Sequence, residues 1–463
     1  MSAPAAGAPR RADGSVPPDA GTAAELVGRI ERLPVTPRLM LVRVIIGIAT
    51  FFDGYTVVAI VFAMPQLVSE WNLTRGEVGF VFAAGYAGQL VGALMFGALA
   101  ERIGRLPVLL ITILVFVSMD LACLFAWSGP SMMAFRFLQG LGTGGEVPVA
   151  GAYVSEFIGA GRRGRFFLLY EVIFPIGLMF AAMTGFFLVP LFGWRAMFVV
   201  GLVPAVLTVP LRLTMPESPR WLASRGRLKD ADAVVRSLED SATRHGAVLP
   251  PPVVRPHDQA APGWRWRELF DGVYLRRTLT LWSLWASTYL INNGLVTWLP
   301  TLYRQVFELP LTVSLAYGWI TASAGVIASV VCALSIDRVG RRPWYAAALL
   351  SAALPLVALA GLGAGSAVTV LILSTAAYAI LQTVTFSLYL YSAELYPTRL
   401  RAVGTGLGSA WLRAGSSIGP LLVGYLGIRA VFAVFGAVAL IAGAITLRFA
   451  VETRGRVLED LSP

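Results

Sequence analysis

Among the ionisable side chains inside long apolar runs of this sequence are Asp53, Arg136, Glu146, Glu171 and Arg413. A charge in an apolar medium costs several kcal/mol unless it is paired or hydrated, so such residues point to ion pairing, proton binding or ligand binding. Counted along helices of 1.5 Å per residue, Asp53 falls about 21 Å from one end of its run, and Arg136 about 9 Å from the opposite end of its own. In an apolar layer ~30 Å thick the two are at matching depth. The spacing therefore predicts an Asp53–Arg136 pair that a proton on Asp53 would break, biasing the molecule toward a second state. The plainer alternative is a static ion pair that holds two helices together. Glu146 and Glu171 lie within reach of one end of adjoining runs, where two carboxylates can share a proton or simply pack as polar groups. Arg413, near the middle of its run, has no acidic partner in the local sequence. Its fork of donors suits a ligand carboxylate, or else a structural pair with an acid such as Asp120.

Other residue types allow a binding site but few other chemistries. Gln89, Tyr55, Tyr289, Asn292, Asn293, Trp298, Gln382 and Tyr389 are the polar and aromatic groups in apolar runs that fit a cavity for a small ring-bearing solute. Singly, each is as well read as polar packing between helices. Cys123 and Cys332 both lie in apolar runs, and His245 and His257 in the hydrophilic middle of the chain, so no metal site is expected. No ATP-binding loop and no nucleophile with a base and an orienting group is present, so neither a cofactor nor an enzymatic role is expected.

The elements that must position these groups follow from composition. Of the 463 residues 57% are hydrophobic and only 14% charged, too little polar material to cover a water-soluble globule of this size. Twelve apolar stretches, each about 20 residues and so long enough to cross a bilayer, lie between residues 39 and 450. Lipid is the expected solvent, and the expected fold is an all-α membrane protein of two six-helix bundles. The boundaries read as a disordered segment 1–38, a first bundle 39–214, a central loop 215–277, a second bundle 278–450 and a tail 451–463. Within the loop, apolar residues at helical spacing in 228–238 mark an amphipathic helix. The net charge of +11 comes from arginines dispersed between spans, which reports topology rather than nucleic-acid binding. One alternate set of loops carries Arg102, Arg105, Arg163, Arg338, Arg341, Arg401 and the whole of 215–277. By the positive-inside rule that set, with both termini, is cytoplasmic.

The two halves repeat each other. Gly97-Ala-Leu-Ala-Glu101-Arg102-Ile-Gly104-Arg105 returns as Ala333-Leu-Ser-Ile-Asp337-Arg338-Val-Gly340-Arg341, and Glu156 with Arg163 returns as Glu394 with Arg401. Glu217, followed by Arg220, has an echo in Glu452. The offsets, 337 − 101 = 236, 394 − 156 = 238 and 452 − 217 = 235, agree within three residues. These clusters are expected to pair across the halves when the cytoplasmic side is shut and to part when it opens, each exposed pair contributing about 0–1 kcal/mol. The alternative is topological anchoring.

At residues 97–105 the chain resembles the major facilitator superfamily. Arg136-Phe-Leu-Gln-Gly-Leu-Gly-Thr-Gly-Gly-Glu146, Pro216-Glu-Ser-Pro-Arg-Trp-Leu222 and Val451-Glu-Thr-Arg-Gly-Arg-Val-Leu-Glu459 are similar to its sugar-porter side. Arg163-Gly-Arg-Phe-Phe-Leu-Leu-Tyr-Glu171 and Glu394-Leu-Tyr-Pro-Thr-Arg-Leu-Arg401 resemble nicotinate-type permeases and synaptic vesicle glycoprotein 2-like carriers more closely. Where sugar porters have a Gln pair this sequence reads Asn292-Asn293. The resemblance implies a proton-coupled symporter in a bacterial inner membrane, importing a small organic acid or aromatic metabolite as a monomer. Sugar or polyol symport, drug efflux and a non-transporting membrane sensor stand as the alternatives.

Overall fold

The computed structural model describes residues 20–158, 172–207, 211, 213–252, 265–362, 365–396 and 398–454. Residues in these segments form fifteen α-helices. The short helix α1 (Ala20–Glu31) precedes α2 (Pro37–Trp71), α3 (Arg75–Ile103), α4 (Arg105–Leu124), α5 (Gly129–Glu156), α6 (Ile173–Phe192) and α7 (Arg195–Gly201). Beyond α7 the sixth apolar stretch continues as a 3-10 turn, Val203–Leu207, because Pro204 cannot donate into an α-helical ladder. The loop contributes α8 (Pro219–Ser224) and the expected amphipathic helix, α9 (Leu228–Arg244). The second half is α10 (Gly272–Gln305), α11 (Leu311–Val339), α12 (Arg341–Leu362), α13 (Ala367–Leu395), α14 (Thr398–Tyr425) and α15 (Ile428–Phe449).

Eight of these helices, α2, α3, α4, α6, α11, α12, α13 and α15, are long and apolar enough to cross a membrane. Helices α5, α10 and α14 have the length, 28, 34 and 28 residues, but carry more polar side chains. Those are the helices that bring Arg136, Glu146, Asn292, Asn293 and Arg413 into the interior, where polar groups in a membrane protein find partners. Helix starts are set by local capping. Thr36 accepts from the Leu39 amide, and Thr74 with Glu77 closes a capping box at the head of α3.

The packing has the two-fold character expected of a repeat. Helix α2 packs on α6 in the first half as α10 packs on α14 in the second, and the halves meet through α3 against α14, α6 against α11, and α2 against α10. The meeting is uneven along the helices. Gly79 of α3 comes within 3.7 Å of Gly424 of α14, counted from a side-chain carbon built on Gly79, whereas one built on Gly97 or Gly406 would meet nothing within 4 Å. Each pair is eighteen residues apart, 97 − 79 and 424 − 406, which is five full turns and about 27 Å on one face of each helix. The two helices therefore touch at one face of the membrane and splay at the other. At the closed face the apolar core runs on across the halves, with Trp298, Leu315 and Ala322 packed among Phe62 and Phe82. The splayed face is the arginine-rich one.

The N-terminal segment differs from expectation, since residues 20–31 are helical and docked. Leu26 and Ile30, four apart on one face, are 3% and 0% exposed and share a small core with Trp221, Leu222, Ala231 and Val235. Arg29 adds a two-pronged bond to Glu239 and a 2.6 Å bond to Asp232 of α9. The Ala, Pro and Gly content of the first 38 residues, averaged, hides this twelve-residue amphipathic stretch.

Candidate functional site

At the middle of the bundle, between the halves, a cavity holds about 1220 Å³ of empty space, part of it open to solvent. Asp53 of α2 lines it and is 1% exposed, with Oδ1 lacking any hydrogen-bond partner. Glu146 of α5, fully buried, accepts from the Thr50 hydroxyl at 3.1 Å. Arg413 of α14, 4% exposed, donates from Nη1 to the Ser409 carbonyl at 3.0 Å and from Nη2 to the Gly144 carbonyl at 3.3 Å. Its Nε is buried without a partner. Glu146 and Arg413 are the charged groups within electrostatic reach of Asp53.

Arg136 is thus not the partner of Asp53 in this state. Its guanidinium reaches past Asp53 to the next turn of α2, donating to the carbonyls of Thr56 at 3.1 Å and Val57 at 3.0 Å and to Gln139. Gln139 in turn donates to Asp120 at 2.6 Å, and Thr56 donates to the other oxygen of Asp120 at 3.3 Å. Arg136 and Asp120 are thus linked through the Gln139 amide, and Asp120 is not a partner of Arg413. Glu171 lies outside the described residues.

Seven of the nine predicted contact residues line the cavity: Gln89, Tyr289, Asn292, Asn293, Gln382, Tyr389 and Arg413. Asn292 donates to Gln382 at 2.8 Å while its own carbonyl oxygen is left without a partner, and Asn293 donates to Ser416 at 2.7 Å. Trp285 stacks on Tyr289 at 5.5 Å and meets Tyr389 edge-on at 4.7 Å, fixing both rings at the wall. Two residues are elsewhere. Tyr55 points to the opposite side of α2 and donates to the Met197 carbonyl at 2.8 Å. Trp298 belongs to the closed face, edge-on to Phe82 and donating to the Pro420 carbonyl at 3.0 Å. Sequence reasoning missed Thr50, Tyr86, Phe174, Tyr378 and Phe386 of the lining. A signal existed for three of them: Thr50, Tyr86 and Tyr378 precede Asp53, Gln89 and Gln382 by three or four residues, which is one helix face. The Tyr86 hydroxyl crosses the seam to Asn293 at 3.1 Å.

On the arginine-rich face the repeat is reproduced in space. Arg105 bonds Glu101 at 2.8 Å and Glu156 at 3.0 Å, and Arg341 bonds Asp337 at 2.7 Å and Glu394 at 2.9 Å. Glu217 accepts from the amides of Arg105 and Leu106, and Glu452 from those of Arg341 and Arg342, so the carboxylates cap the starts of α4 and α12. Gly104 and Gly340 turn the chain there with φ of 111° and 102°, a region that favours glycine. Burial pushes the Glu217 carboxyl above its usual range, against the amides and Arg105 that pull it down, whereas at Glu452 the amide bonds prevail over burial and hold it below. Arg220 donates to the Glu156 carbonyl at 3.2 Å and to Glu31 at 2.5 Å. Arg102, Arg338 and Gly97 are at the splayed surface. The expected pairing across the halves is therefore absent among the described residues. Each knot closes within its own half, because α3 and α14 have separated on this face. Arg163 and the side chain of Arg401 lie outside the described residues.

The family that matches is described as sugar (and other) transporter, over residues 39–463. The chain is 33% identical over 455 residues to the niacin transporter NiaP of Acinetobacter baylyi, covering 94% of this chain and 99% of that one. It is 28% identical to the 4-hydroxybenzoate transporter PcaK of the same species, covering 85% and 87%. In structure it is similar to the xylose transporter XylE from E. coli in a partially occluded inward-open conformation. The TM-score is 0.70, with 19% identity over 90% of this chain and 99% of that one.

Proposed function

The chain belongs to the sugar (and other) transporter family, and from that premise we propose that it imports a small aromatic or related organic acid together with protons. As a member it is a multi-pass membrane transporter of the major-facilitator fold and not an enzyme. The positive-inside rule supports a cytoplasmic assignment for the arginine-rich face and both termini, and the bacterial relatives support a bacterial inner membrane.

The observation that carries the substrate class is Arg413 and Asp53 lining one cavity walled by aromatic rings, with Glu146 buried within electrostatic reach of Asp53. A buried guanidinium with an unpartnered Nε offers a carboxylate a charge-assisted bond, and Tyr289, Tyr389 and Phe386 offer a ring a flat apolar wall. Relatives that carry niacin and 4-hydroxybenzoate support the same class.

Charge counting supports the coupling. With both carboxylates ionised, the site holds two negative charges against one positive, and a substrate anion adds a third negative charge. Buried, unbalanced charge is expensive. Entry of the anion with a proton on Asp53 or Glu146 restores the balance that the empty site had. Arg413, drawn to the substrate, is released from the Gly144 carbonyl that ties the halves together on this route.

The test is thermal stabilisation of the purified protein by benzoate, nicotinate, aliphatic carboxylates, sugars and polyols, since a ligand of the folded state raises its apparent stability. Stabilisation by the aromatic acids, lost in Arg413→Gln, is expected. Stabilisation by sugars or polyols alone would replace this reading with sugar symport.

A further inference from the structure

Where α10, α12 and α15 meet on the arginine-rich face, three arginines converge on the last turn of α15. Arg342 donates from Nε and Nη2 to the Leu447 carbonyl at 3.2 and 2.6 Å, and Arg276 donates to the Arg448 carbonyl at 3.2 Å. The guanidinium groups of Arg276 and Arg448 lie 5.1 and 5.4 Å from the Phe449 ring. All three arginines are exposed, and among the described residues none forms an ion pair. Glu452, the carboxylate at this corner, is engaged by the amides of Arg341, Arg342 and Arg454.

A helix C-terminus favours one cation and brings about half a negative charge. Three guanidinium groups leave a strong positive excess. The repeat also shows that the helix start does not require it: Arg341 corresponds to Arg105, so Arg342 stands where the first half has Leu106, and Leu106 receives the same cap from Glu217. Below the arginines the surface turns apolar, with Leu275, Leu279, Leu447 and Ile441 exposed by 38%, 51%, 53% and 59%. A cationic rim above an apolar face, at the end of three membrane-crossing helices, has the chemistry of a lipid headgroup above its acyl chains.

We propose that Arg276, Arg342 and Arg448 form a binding site for one anionic phospholipid, the phosphate held by the guanidinium groups and an acyl chain lying along Leu279 and Ile441. The site lies outside the transport cavity and does not depend on what is transported.

Native mass spectrometry of the full chain from micelles containing phosphatidylglycerol or phosphatidylcholine tests it. One phosphatidylglycerol retained per chain is expected, with no such retention of phosphatidylcholine. Arg342→Leu, which copies the first half, should weaken retention about fivefold, and Arg342→Leu with Arg448→Gln about 25-fold. Arg227→Gln, an exposed arginine in the loop paired with Asp230, should leave it unchanged. Equal retention by wild type and the double variant would overturn the site, and so would equal weakening by Arg227→Gln. Stabilisation by inorganic phosphate equal to that by the lipid, and lost in the same variants, would make this a free-anion site and overturn the lipid assignment.

Discussion

The Nη2 of Arg413 donates to the carbonyl oxygen of Gly144 at 3.3 Å, joining α14 of one half to α5 of the other at the depth of the cavity. Gly144 is one of the glycines at which α3 and α5 run against each other, and a side-chain carbon there would clash with the Gln89 backbone. The cation best placed to receive a substrate carboxylate is therefore also one of the bonds holding the halves in their present relation. Binding and rearrangement draw on one side chain.

Arg413→Gln should lower affinity for a carboxylate substrate about 100-fold, the scale of losing two charge-assisted hydrogen bonds, while leaving the protein folded. Arg413→Lys should recover part of that, since it restores the charge without the fork. Equilibrium binding to the purified variants measures both.

The splay of α3 and α14 predicts accessibility. Gly97→Cys and Gly406→Cys should label with a membrane-impermeant thiol reagent from the arginine-rich face, and Gly79→Cys should not. The native thiols, Cys123 and Cys332, are both buried and give little background. Labelling at 97 and 406 should fall in any variant that opens the opposite face, for instance Trp298→Ala, which removes the bond to Pro420.

The caps give a stability prediction with an internal control. Glu217→Ala should cost about 1–2 kcal/mol, the upper range for loss of a helix cap, because three amides lose their acceptor. Gly104→Ala should cost more than Gly226→Ala: both have positive φ, 111° and 72°, but only the first drives a methyl against the Glu217 carboxylate. Thermal melting in one detergent compares them.

Docking of α1 should depend on pH. The hydrogen bond from Arg29 holds the Asp232 carboxyl below its usual range. At Glu239 burial pushes the carboxyl up, but Arg29 and Arg32 prevail and leave it low as well. A lowered folded value means that the stability is present above the unfolded value, about 4 for these groups, and is lost as pH falls below it. Amide hydrogen exchange of residues 24–31 should therefore be protected near neutrality and lose protection below about pH 4. Arg29→Ala should lose it at every pH.

Much of this arrangement was legible in the sequence. Twelve spans and the internal repeat pointed to the two-bundle fold, and the faintest of the three echoes, Glu217 with Glu452, proves to be one capping contact built twice. Seven cavity residues were found because polar and aromatic groups in apolar helices are few. What counting along helices could not supply was direction around them. Asp53 and Arg136 do match in depth, yet Arg136 turns to the carbonyls one turn beyond and to Asp120 by way of Gln139, a relay spread over three helices. Tyr55 failed for the same reason, in the right span but on the far side of its helix, whereas Trp298 lies too far along its span, at the closed face.

Uptake into proteoliposomes under an imposed proton gradient, wild type beside Asp53→Asn, tests the coupling most directly. The account predicts that Asp53→Asn still exchanges substrate across the membrane when it is present on both sides, but no longer accumulates it against its gradient. Uphill, proton-driven accumulation by Asp53→Asn equal to that of the wild type would contradict it.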